Sequence, residues 1–179
     1  DEQIVARVIS TLSQRFQVQP VTYERGPFAA PERISSIPGE NLVREDPFKA
    51  AVREHVSTQG LDAYLVITKA TLKYGTRGVP VSGIGLIRQR TMFDSSVIVH
   101  ALYVIRVIDG HTFKTIDKKS ASPVDNSIIR LAGPSRMLDA GSLPAELDPV
   151  SNEQLKATVS SLVERSIEPT LRDLRLMAR

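Results

Sequence analysis

Residues 61–117 constrain this chain more than any other stretch. They read LDAYLVITKATLKYG, then VPVSGIGLIRQRT, then SSVIVHALYVIRVIDGHTFKTID, three β-rich runs separated by turn residues. Leu65, Val66 and Ile67 are consecutive and apolar, the pattern of a strand covered on both faces. Beyond them Lys69, Thr71 and Lys73 alternate with Ala70, Leu72 and Tyr74, so one face opens to water. Strands are expected over 63–74, 81–91, 97–108 and 111–117, with turns at Gly75–Gly78, near Asp94-Ser95-Ser96, and at Asp109-Gly110. A meander of about four antiparallel strands follows.

The flanks supply helices. Asp46-Pro47 places an N-cap before a proline at the first helical position. Phe48, Ala51, Val52, His55 and Val56 then form one stripe, and Gly60 provides a left-handed stop. The spacing predicts a helix over 47–59. Ser151-Asn152-Glu153-Gln154 has the form of a capping box. Leu155, Val159, Leu162, Val163, Ile167, Leu171 and Leu174 continue an apolar stripe, which predicts a helix over 151–176 kinked at Pro169. Residues 4–16 support two readings. Ile4, Val5, Val8, Ile9, Leu12 and Phe16 have helical spacing, but a hairpin of strands 3–9 and 15–23 also fits; in either case 16–24 is extended. Proline-rich loops are expected at 25–46 and 122–150. The fold class is α+β: one domain over 1–179, with a mainly antiparallel sheet, an N-terminal strand, and both main helices chiefly on one face.

Composition narrows the function classes. The absence of cysteine removes disulfides, thiol nucleophiles and cysteine-ligated zinc. No apolar run approaches the length of a membrane span. The chain begins at Asp1 rather than Met, consistent with a trimmed export signal, a lipoprotein leader or truncation. Net charge is only +3, and aromatics are 5% with no Trp, a poor basis for base stacking and hence for a nucleic-acid partner. The charge is unevenly spread, however. Between Ala63 and Phe93 there are five cations (Lys69, Lys73, Arg77, Arg88, Arg90) and no acid. A solvated strand face that resists edge aggregation explains this. Binding of an anionic small ligand or nucleic acid through Lys69, Lys73, Arg88 and Arg90 is the functional alternative.

The catalytic signals are thin. Gly83-Ile84-Gly85 with Arg88 looks like a dinucleotide fingerprint, but the third glycine is missing and no helix follows. Those glycines fit a bulge or close backbone approach in a strand. His55 falls on a helix stripe, His100 lies mid-strand, and His111 follows a turn. Asp109 and His111 are two potential metal ligands where a catalytic zinc site needs three. No serine sits in a G-x-S-x-G elbow. The site expectation is therefore no catalytic residue, metal or cofactor. A hydrolase-like enzyme using His100 or His111 is the remaining catalytic reading.

The order of features resembles poorly characterised envelope and lipoprotein-type proteins of Gram-negative bacteria. The shared elements are the LDAYLVIT strand, the G-x-G-hydrophobic-x-R strand (Gly83 to Arg88), the Asp-Gly-x-Thr turn (Asp109 to Thr112), and a leucine-rich last helix ending Asp173-Leu174-Arg175-Leu176. The resemblance implies an α+β fold and a periplasmic or outer-membrane-anchored location, with the cytoplasm as the alternative, and it implies no reaction. The function expected is a non-catalytic envelope module that binds a protein partner or itself.

Overall fold

A computed structural model describes residues 2–21, 26–28, 32–33, 47–56, 59–90, 95–124, 131–142 and 152–177. In chain order the elements are α1 (Glu2–Leu12), β1 (Glu32–Arg33), α2 (Pro47–Val56), β2 (Ala63–Tyr74), β3 (Val79–Ser82), β4 (Ile84–Arg90), β5 (Ser95–Ala101), β6 (Tyr103–Asp109), β7 (Thr115–Ser120), β8 (Ser135–Asp139) and α3 (Glu153–Asp173). The fold is α+β with mainly antiparallel sheet, as the sequence predicts.

The meander is divided between two sheets. One has the order β1-β2-β6-β7, with β3 also on β2; the other is β4-β5-β8. The division occurs at Ala70. Its N–H donates to the Leu102 carbonyl at 3.1 Å, and its carbonyl accepts from Gly83 N–H at 3.0 Å. Both groups of one strand residue point to the same edge. That edge therefore passes from β6, which pairs residues 63–69, to β3, which pairs residues 71–74. Leu102 N–H closes the junction on the Gly83 carbonyl at 2.8 Å. From this fork β4 and β5 leave together as an antiparallel ribbon in register Gly85↔His100 and Arg88↔Val97. The expected strands 81–91 and 97–108 are thus each split, at Gly83 and Leu102. Gly83 turns the corner with φ 60°, a left-handed conformation that glycine adopts without a Cβ penalty.

β6 is the spine. Residues 103–108 are all buried, because helices cover both faces. Tyr103, Ile105 and Val107 meet Ile4, Val8 and Leu12 of α1 and Leu155, Leu162, Val163, Ile167 and Leu171 of α3. On the opposite face Ile108 joins Val52 and Val56 of α2 with Tyr64. The two main helices therefore lie on opposite faces, not chiefly on one. The adjacent apolar residues of β2 and β6 already require this, since successive strand residues point to opposite sides. A third cluster around Ala70, Leu102, Val104 and Leu131 fills the fork. Each fully buried aliphatic side chain contributes about 1.5–3 kcal/mol.

Several boundaries move for local reasons. Residues 2–12 are helix rather than hairpin, with Ile4, Val8 and Leu12 as the buried stripe. No N-terminal strand occurs among described residues 2–21; those at 22–25 lie outside them. α2 is described over Pro47–Val56, and Asp46 and residues 57–58 of the expected helix lie outside the described residues. Gly60 has φ 62°, the expected left-handed stop. Asn152 caps α3, accepting from Leu155 N–H at 3.1 Å through Oδ1, so the cap lies one residue after Ser151, which is not described. α3 runs through Pro169. It ends in a Schellman motif: Leu176 N–H reaches the Leu171 carbonyl and Arg175 N–H the Arg172 carbonyl, with Arg175 at φ 59°. The expected loop at 122–150 contains β8, held by Leu138↔Val97 and Met137↔Ile98. Its five residues are too few to show a period by themselves. Within 25–46 the described residues are a 3-10 turn at Gly26–Phe28 and β1, parallel to β2.

Candidate functional site

The histidines have separate environments. His100 is buried on β5, and its Nδ1 donates to the Gly83 carbonyl at 2.9 Å. Burial lowers its pKa, and the bond to Gly83 opposes the shift. The imidazole lies against Gly85 so closely that a methyl there would sit 3.0 Å from Cε1 and Nε2. His100 is thus a pin for the fork, and Gly83 and Gly85 provide the backbone approach that the sequence predicts for them. His111 is exposed in the turn, 3.9 Å from Asp62. His55 is partly buried on α2, with Glu54 at 4.0 Å. The three do not come together. Among the described residues no group of three His, Asp or Glu is placed to hold a metal ion.

The Asp109 turn is built by its carboxylate. Asp109 Oδ1 accepts from Thr112 N–H at 2.7 Å, Thr112 Oγ1 at 2.8 Å and His111 N–H at 3.1 Å. The bonds from Thr112, chiefly its backbone N–H, lower the Asp109 pKa. They also displace the last strand. Phe113 takes φ 55°, and β7 begins at Thr115 rather than His111. Gly110 is required because a Cβ there would fall 1.7 Å from the Leu61 carbonyl oxygen.

Polar bonds also join α3 to the sheet. Tyr103 Oη lies 2.7 Å from Ser166 Oγ, and burial pushes its pKa up to about 12 against the opposing bonds from Ser166 and Thr170. Thr170 Oγ1 accepts from Ser122 N–H at 2.9 Å. Nearby, an open cleft of about 500 Å³ is lined by Arg7, Val124, Glu164, Glu168, Pro169 and Arg172, among others. An Arg7–Glu168 ion pair of 3.1 Å bonds α1 to α3 there. Such half-exposed pairs contribute under about 1 kcal/mol.

The four cations singled out in the sequence are all exposed. Lys69 and Lys73 have the strand parity of Leu65 and Ile67, which pack toward α1 and α3. Arg88 and Arg90 have the parity of Leu86, which packs on that same core. All four therefore lie on one face, but they do not form a compact pocket. Lys73 pairs with Pro80, and Pro80 to Arg90 is up to about 33 Å of chain at about 3.3 Å per residue. Lys69 lies over the fork, its aliphatic stem 3.4 Å from where a Gly83 Cβ would stand. Thr71 and Ser82 add a hydroxyl pair, 2.6 Å apart, on this face. The arrangement is a long basic strip.

One buried charge was missed. Arg106 of β6 is 2% exposed, with its guanidinium 4.6 Å above the ring of Phe48 on α2. Its signal was a single cation inside the apolar run Tyr103–Ile108.

The chain matches no family model, no curated protein and no solved structure.

Proposed function

We propose that this chain is a non-catalytic module of the bacterial cell envelope that acts by binding another protein. The observation that carries the reading is the exposed strand segment 79–90. Ile84 is 45% exposed there on the face of the exposed Arg88 and Arg90, and Val79 is 53% exposed on the other face. Strand segments that combine apolar and charged groups at the surface suit partner recognition by strand addition. The polar bonds of His100, Tyr103 and Asp109 support the same reading, because each holds the scaffold together. The envelope location rests on the resemblance of the Gly83–Arg88 strand and the terminal helix to envelope proteins. No helix of the described residues is long and apolar enough to cross a membrane. Light scattering, together with capture from envelope extracts, tests the reading. A strict monomer that recovers no partner overturns it.

A second reading is supported by the shared face of Lys69, Lys73, Arg88 and Arg90: binding of an anionic ligand. Its signature is affinity that falls steeply with added salt.

A further inference from the structure

We propose that the edge of β3 and β4, flanked on one face by the basic strip of β2 and β4, holds an acidic, extended segment of another protein. This deepens the protein-binding reading and rests on it.

The length of the strip decides the size of the ligand. A small anion is satisfied by two or three cations within a few ångströms, whereas these cations follow the ribbon from Lys73 to Arg90. An extended chain advances by the same rise as the ribbon, so alternate acidic side chains can meet successive cations on one face. The strands themselves set no acid against such a ligand, since 63–93 contains none.

The edge is suited to strand addition. Among the described residues, β3 pairs with β2 alone and β4 with β5 alone, so both are terminal strands of their sheets. Pro80 marks β3 as an edge strand, and its missing N–H leaves one donor fewer for a strand added beside it. Ile84 shares the parity of Arg88 and Arg90 and is 45% exposed, an apolar contact between the cations.

Charge also selects among occupants. A second copy paired β4 to β4 about Arg88 and Arg90 would place cations opposite cations, which destabilises a strand pair. Nucleic acid is disfavoured by the side chains on the face. Among residues 69–90 the one aromatic, Tyr74, has the opposite parity and packs in the fork cluster with Leu72 and Ile87, so these strands offer bases no stacking platform on this face. An acidic peptide needs only the cations, the backbone edge and the apolar spot.

The probe is a fluorescein-labelled peptide of alternating Glu and Val, titrated by anisotropy, with a Lys-Val peptide and single-stranded oligothymidylate as comparators. The acidic peptide binds and the Lys-Val peptide does not. The double variant Lys73→Glu with Arg90→Glu weakens binding at least about tenfold, while Lys73→Arg with Arg90→Lys retains it. In the wild-type protein, peptide-induced amide shifts concentrate in 79–90, a readout independent of how the variants fold. Unchanged affinity in the charge-reversed protein, or shifts centred elsewhere, overturns the proposal. Tighter binding of the oligonucleotide on the same strip overturns it in favour of nucleic acid. Envelope capture separates the two levels. A partner retained equally by wild type and the charge-reversed variant leaves the module reading intact and removes this surface. No partner and a strict monomer remove the module reading itself.

Discussion

Arg88 and Arg106 occupy nearly the same sequence setting, Leu-Ile-Arg-Gln and Val-Ile-Arg-Val, yet their environments are opposite. Arg88 is exposed on β4; Arg106 is buried over Phe48 on β6. The difference comes from layers. β6 has α1 and α3 on one face and α2 on the other, whereas β4 extends past the fork as the terminal strand of a small sheet. A local pattern does not fix burial; the number of layers around a strand does.

The strongest way to break the comparison is truncation on each strand. Ile105→Ala on β6 removes a fully buried side chain and should cost about 2–5 kcal/mol. Ile84→Ala on β4 should cost below about 1 kcal/mol, because its side chain is already half in water. Urea denaturation measures both, and equal losses would refute the layered account. Next comes the fork itself. Gly85→Ala should destabilise by about 1–3 kcal/mol through overpacking against the imidazole. The same change in a His100→Ala background should cost clearly less, so the double-mutant cycle reports coupling.

Two titrations probe the buried side at smaller amplitude. The His100 pKa is lowered in the fold, so the unfolded chain binds its proton first as pH falls. Its contribution is present above the ordinary value of 6.5 and is lost as pH drops through the lower folded value. His100→Gln should flatten that part of the stability profile. Tyr103 runs the other way. Its raised pKa gives stability that is full below pH 10 and is lost as pH rises toward about 12. Tyr103→Phe should remove the alkaline decline while costing about 1 kcal/mol at neutral pH for the lost Ser166 bond. The smallest expected effect is a gain. Arg175→Gly relieves a non-glycine residue at φ 59° and should stabilise by about 1 kcal/mol, read as a rise in thermal midpoint.

The site was legible in part. The cation-rich, acid-free segment could be read directly, and strand parity then puts Lys69, Lys73, Arg88 and Arg90 on one face. Their spread along the ribbon could not, because it depends on where β4 leaves β2. Arg106 was passed over because a cation in a strand is ordinarily at the surface, and only α2 packing over it makes it a core residue.

By itself the sequence determined what depends on neighbours along the chain. The span of β2 is Ala63–Tyr74 as expected, the α2 stripe is Phe48, Ala51, Val52 and Val56, and Gly60 is left-handed. Period, capping and backbone freedom are local physics, so a few residues suffice to specify them. Tertiary structure decided the fork at Ala70, Gly83 and Leu102, the opposite placement of α2 and α3, and the recruitment of β8. Each of these depends on hydrogen bonds or burial between residues far apart in sequence, whose partners no local pattern names.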